Sequence, residues 1–332
     1  MDLVLNIADD YLLDAVWARV VPASAFLASN ASAFIPVASD SKWNLLVSHL
    51  PHPPILANSS LALGSISPLA SAWPREYIPR QLISLIALTL AGIFLLYFVF
   101  AALSYQYIFN HEMMSHPRFL KNQVRLEIES SLRAFPVMTL LTLPWFEAEV
   151  LGYSKMYDNV EEYGWMYFFA SIAMFLLFTD YGIYWVHRTL HHPMLYKHIH
   201  KPHHKWFIPT PFASHAFHPV DGYLQSVPYH LFAFIFPLHR WLYLSLFVFV
   251  NCWSILIHDS DMITGHPLET VINGPAHHTL HHLYFTVNYG QYFTWADRWG
   301  GSYRQPASEL DPMLQVKAKQ ETQCKAALGK EQ

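Results

Sequence analysis

Residues 180–206 read DYGIYWVHRTLHHPMLYKHIHKPHHKW, with seven histidines set among aromatic, basic and a few apolar side chains. The stretch follows a hydrophobic run that ends at Asp180. His187 and His191 stand four apart, so a helix continuing out of that run puts both rings on one face. His200, His203 and His204 form an HxxHH set. Pro202 lies inside it, and the residue before a proline avoids helical geometry, so His200 is expected to precede a short helix that starts near Pro202. Packing alone does not call for so much imidazole.

A second HxxHH set, His278, His281 and His282, lies far downstream with His277 just before it. Asn273, Gly274 and Pro275 offer a cap and a first-turn proline, so this set is expected on a fresh helix. At this histidine content chance supplies roughly 0.1 HxxHH matches per chain, and here there are two plus an HxxxH. Neutral imidazole is a good ligand for iron, zinc, copper or nickel, and eight such nitrogens exceed what one ion holds. Two metals follow. A histidine-rich surface loop would show neither the recurring spacing nor the separation by hydrophobic chain.

The surrounding chain is 53% hydrophobic and only 13% charged over 332 residues, far from the quarter-charged composition of soluble domains. Much of it is expected to face lipid. Net charge is near neutral, and no basic tract suggests nucleic acid. Two cysteines, Cys252 and Cys324, imply no disulfide framework. The opening MDLVLNIADDYLLDAVWARV carries acids where a signal peptide carries positive charge, which argues against a cleaved signal. Residues 1–78 read as an irregular Pro- and Ser-rich segment with one short amphipathic helix at its start. Asn30 and Asn58 lie in glycosylation sequons.

Leu82 to Leu103 is almost continuously apolar and long enough to span a bilayer. A weaker stretch runs from Ala134 to Leu151, broken by Pro144, and Gly164 to Trp185 forms another span. From Tyr223 to Ile257 the only charge is Arg240, beside Pro237 and His239, which reads as two short spans hinged there. The expected fold is therefore an all-α integral membrane protein of about four to five membrane-embedded helices, with a histidine-rich helical cap holding a dimetal site. Basic residues crowd the loops after the first and third spans and the C-terminus, so these are cytosolic and the N-terminus is lumenal. The organisation that follows is a lumenal segment 1–78, a membrane domain 79–303 and a polar cytosolic tail 304–332.

Asp180 is a carboxylate inside a span, costly in lipid, and is expected to orient a ligand by accepting its spare ring proton. Asp259 is a second candidate for that role. His258, at the end of the hairpin, is the first choice to complete the metal site, with His215 and His218 as further candidates. A metal transporter would place such groups along a mid-membrane path, and a zinc hydrolase needs about three ligands with one open position; neither pattern fits.

These motifs resemble the membrane-bound fatty acid hydroxylase/sterol desaturase superfamily, marked by an HxxxH box and two HxxHH boxes around a di-iron centre. The strings HRTLHHPMLYKHIHKPHHKW, PFASHAFHPVDGYLQSVPYH, INGPAHHTLHHLYF and NYGQYF are similar to blocks of the sterol C-5 desaturases, fungal members above all. One departure is Thr294-Trp295-Ala296-Asp297, where the family pattern places the tryptophan one position later. The resemblance implies insertion of the C5–C6 double bond into a Δ7-sterol in ergosterol-type synthesis at the endoplasmic reticulum membrane, with O2 as co-substrate. It implies two iron ions held by His187, His191, His200, His203, His204, His278, His281 and His282. Electrons would come from cytochrome b5 and its NADH reductase. Sterol C-4 methyl oxidation or a lipid hydroxylation on the same scaffold is the alternative.

Overall fold

The computed structural model describes residues 1–27, 42–53 and 70–328. Asn30 and Asn58 lie outside the described residues. Thirteen α-helices are described: α1 Asp2–Ala8, α2 Asp14–Val20, α3 Ser24–Leu27, α4 Lys42–Val47, α5 Ile78–Tyr107, α6 Gln123–Val150, α7 Gly164–Leu190, α8 Pro193–Leu195, α9 Pro219–Ile235, α10 Arg240–Leu256, α11 Pro275–Tyr284, α12 Trp295–Gly300 and α13 Met313–Leu328. Two residue pairs, β1 Met156–Tyr157 and β2 Leu238–His239, run parallel. The chain divides into two compact units, one of residues 1–89 with 146–151, the other of 90–145 with 152–332.

In the first unit the N-terminal acids have a structural use. A π-helical turn, Asp9–Leu13, links α1 to α2, so residues 2–20 are helical throughout, more ordered than the sequence suggests. The turn brings Asp9 and Asp14 onto Arg80, at 2.6 and 2.5 Å, while Arg80 also donates to the carbonyl of Trp73 at 2.9 Å. A guanidinium buried to this degree is tolerable only because it is paired.

In the second unit the site is positioned by α7 and α9. The pair is antiparallel, since Phe175 meets Phe232 while Gly182, further along α7, meets the earlier Pro228 of α9. A Cβ on Gly182 would stand 2.8 Å from Pro228 Cγ, so glycine allows this approach. Phe175, Phe232, Leu238, Tyr243, Leu246 and Val250 fill the core between α7, α9 and α10. The antiparallel register carries the C-terminal end of α7 to the N-terminal end of α9. On the other side, Tyr97 of α5 donates to Phe212 O at 2.9 Å and Gln123 of α6 donates to Ile208 O at 2.7 Å. Glu127 accepts from the Thr210 hydroxyl and amide. These bonds fix the turn that follows the first HxxHH set.

α5 and α7 are 30 and 27 residues long and apolar enough to cross a membrane; only 17% of the most apolar window of α5 is buried in the chain, so most of its apolar surface is uncovered. α9 and α10 fall where the sequence suggests a hinged pair, at 17 residues each. The break expected at Pro144 is absent: α6 continues through Pro136 and Pro144. The stretch after residue 304 is not simply a polar tail, since Met313 and Val316 of α13 pack against Phe109, Met113 and Ile208.

Candidate metal centre

His187 lies on the last turn of α7 and His191 caps it, with the His191 amide donating to the His187 carbonyl at 3.2 Å. Beyond α8 the chain forms a π-helical turn, Tyr196–His200, and then the short helix expected near Pro202, which is a single 3-10 turn, His203–Lys205, with Pro202 as its N-cap. Pro202 takes helical angles there, but the turn is too tight to propagate. The second HxxHH set does lie on a fresh helix, α11, with Pro275 at its first position. Its N-cap is Gly274; Asn273 instead donates to Gly290 O.

The rings converge in two groups, within each of which the ligand nitrogens lie no more than 4.8 Å apart. One group is His187, His191, His200, His204 and His281; the other is His203, His258, His278 and His282. Neither HxxHH set stays together. His203 separates from His200 and His204, and on α11 His278 and His282, one turn apart on the same face, separate from His281.

The hydrogen bonds show what these groups can hold. His187 donates from Nδ1 to Tyr289 O at 3.0 Å, His281 to Val287 O at 2.8 Å and His258 to Ser254 O at 2.5 Å. His200 Nδ1 meets the carboxylate of Asp221 at 2.7 Å. Acceptors on Nδ1 place the proton there and leave a lone pair on each Nε2. Yet Nε2 of His187 and of His200 are 3.1 Å apart, and Nε2 of His258 is 3.0 Å from that of His278. The facing lone pairs of His187 and His200 in a buried site are unfavourable unless a cation lies between them, and His258 likewise turns its Nε2 lone pair into the second group, so the donor set fits metal ions.

Burial and neighbouring rings hold His203, His204, His278, His281 and His282 well below the ordinary imidazole range. Burial brings His258 down to about 4. These six rings are therefore neutral at pH 7, the form that ligates.

The auxiliary residues divide differently from the sequence reading. Asp180 accepts no ring proton: its Oδ1 takes the amides of Gln291, Tyr292 and Phe293 at 3.0, 2.7 and 3.2 Å. The ring proton goes to Asp221, which the reading of motifs passed over because an acid in the first turn after His218-Pro219 looks like ordinary helix capping. Asp259 accepts from the amide of Asp261 at 2.9 Å, and burial pushes its carboxyl up to about 7. His258 joins the second group. His215 and His218 join neither: His215 is bonded to Ser214 and Asn251, and His218 accepts from the Val220 amide at the start of α9. Asp297 was also missed. It accepts from the amides of Tyr289 and Gly290 at 2.9 and 2.8 Å, fixing the carbonyl that orients His187. The displaced Trp295 stacks on Tyr181 at 5.5 Å, and Ala296 is fully buried with Tyr184 and Tyr289.

The family model described as fatty acid hydroxylase matches residues 172–302, which span both groups. The chain is 49% identical over 315 residues to the Delta(7)-sterol 5(6)-desaturase ERG3B of Gibberella zeae, covering 94% of this chain and 92% of that protein. It is 53% identical to the Delta(7)-sterol 5(6)-desaturase erg3C of Aspergillus fumigatus, over 73% of this chain and 82% of the relative. Against the lathosterol oxidase of Homo sapiens the identity is 55%, over 72% and 80%. No solved structure matches the chain.

Proposed function

From the premise that the chain belongs to the fatty acid hydroxylase family, among its Δ7-sterol 5(6)-desaturases, we propose that this membrane oxidoreductase forms the C5–C6 double bond of a Δ7-sterol. The observation that carries the reading is the convergence of nine buried or half-buried histidine rings in two adjacent groups, four of them with Nδ1 hydrogen-bonded to an acceptor outside the group so that Nε2 is free to ligate. His187, His191, His200, His204 and His281 would hold one iron ion, and His203, His258, His278 and His282 the other. Two irons, when bound, supply the O2 activation needed to take hydrogen from an unactivated carbon.

The chain's own work is positional. Asp221 and the carbonyls of Tyr289, Val287 and Ser254 hold four rings in the tautomer that points Nε2 inward. Asp180 and Asp297 hold the 289–293 segment that supplies one of those carbonyls. Neutral rings and buried surroundings keep water away from the reacting carbon. The sterol gives up two hydrogens, one from C5 and one from C6; with two further electrons and two protons these reduce O2 to two waters. No side chain need remove a proton from the substrate.

The two external electrons come, on this reading, from cytochrome b5 and its NADH reductase. The enzyme resides in the endoplasmic reticulum membrane with residues 1–78 lumenal, the histidine groups on the cytosolic side and residues 304–332 cytosolic. The sterol enters sideways from the bilayer. Sterol C-4 methyl oxidation or lipid hydroxylation would share the first hydrogen abstraction, but the named relatives favour desaturation. The test is the sterol profile of a yeast strain lacking its own C-5 desaturase. The parent chain is expected to restore Δ5,7-sterols and the His281→Ala variant to leave Δ7-sterols. Persistent Δ7-sterols with the parent chain present in the membrane would overturn the assignment.

A further inference from the structure

The two histidine groups are closed to solvent except along one edge. His191 alone among their members is partly exposed. Three half-buried rings roof that edge: Tyr196 stacks 5.5 Å from His191, Phe285 lies 4.8 Å from His204, and Phe207 lies 5.6 Å from Phe285. Phe285 ends α11 at φ 65°, a left-handed conformation that glycine adopts freely and a bulky residue avoids. A phenylalanine at that position is explained by what its ring covers.

The charge beside this roof has one sign. From Asp180 to Asp221 the chain carries Arg188, Lys197, Lys201 and Lys205 and no acid between. The three lysines are exposed, and none forms an ion pair among the described residues. Arg118 lies 5.4 Å over the Phe207 ring, and Arg304 lies 3.8 Å over the ring of Tyr284, next to Phe285. Unpaired cations around an aromatic centre suit a transient partner of opposite charge, because they steer its approach while the rings make the close contact.

We propose that this face docks an acidic electron-carrier protein, with the Phe285 ring at the point where the carrier's redox group comes nearest to His204. The inference rests on the desaturase reading, since that reaction draws two electrons from outside. Each encounter oxidises the carrier by one electron. Two encounters supply the pair that, with the two electrons taken from the sterol, reduces one O2 to two waters. An anionic lipid surface would also meet lysines, but it would give no reason for the rings to roof the exposed edge of the metal groups.

The test uses the full chain in phosphatidylcholine nanodiscs and the soluble haem domain of a cytochrome b5. Binding is expected to weaken as salt rises and to fall about tenfold or more in a Lys197→Glu/Lys201→Glu variant. Single-turnover desaturation by the dithionite-reduced variant is expected to match the parent. The Phe285→Ala variant is expected to bind the haem domain normally while slowing reoxidation of its haem. Equal binding by parent and charge-reversed chains overturns the proposal, as does a variant that loses affinity for phosphatidylserine vesicles but not for the haem domain. If no desaturation occurs with either reductant while binding still depends on the lysines, the desaturase reading falls and the docking face stands.

Discussion

His203 and His204 are neighbours in the chain and members of different histidine groups. Nε2 of His204 lies 3.1 Å from those of His191, His200 and His281, whereas Nε2 of His203 faces that of His258 at 3.4 Å. The 3-10 turn makes this possible, because consecutive side chains there project about 120° apart. His203→Ala and His204→Ala should therefore each empty a different position. Iron analysis of the purified proteins should show about two ions per chain in the parent and about one in each variant, with desaturation abolished in both.

Asp221 acts on the site through His200. Asp221→Asn keeps the size of the side chain but offers a neutral amide in place of the carboxylate at His200 Nδ1. Iron affinity, measured by competition with a chelator, should drop about 10- to 100-fold, with helix content by circular dichroism unchanged. Asp180→Asn, which touches only backbone amides, should act mainly on stability.

Acid should destabilise the metal-free protein, and the sign follows from the buried rings. Burial holds His258 near 4 and five other histidines of the two groups well below their ordinary value, while an unfolded chain binds protons near pH 6.5. Below that value the unfolded state takes up protons that the folded state cannot. Stability is thus complete above about pH 6.5 and is lost progressively as pH falls below it. Thermal unfolding of chelator-treated protein between pH 7.5 and 5.5 measures the slope. A flat profile would show that the rings are open to water.

Ala296 is fully buried beside Tyr184 and Tyr289. Ala296→Trp should overfill that space, cost about 1–3 kcal/mol and displace the carbonyl that orients His187. Trp295→Ala, at a site 39% exposed, should cost little. The difference in unfolding temperature between the two variants is the measurement.

The sequence by itself determined the mostly helical character, the places of the long apolar helices and the two histidine boxes with the helix beneath the second. These features are periodic or compositional, so neighbouring residues alone carry the signal. It also pointed to His258, because that residue ends a helix. Only the tertiary structure decided which histidines share a group, since that depends on the π and 3-10 turns after α7 and on the antiparallel register set where Gly182 meets Pro228. It likewise passed the ring proton of His200 to Asp221 and left Asp180 to the backbone of residues 291–293. Those partners are separated by 21 and more than 110 residues, and contacts made across such distances leave no periodic mark in the chain.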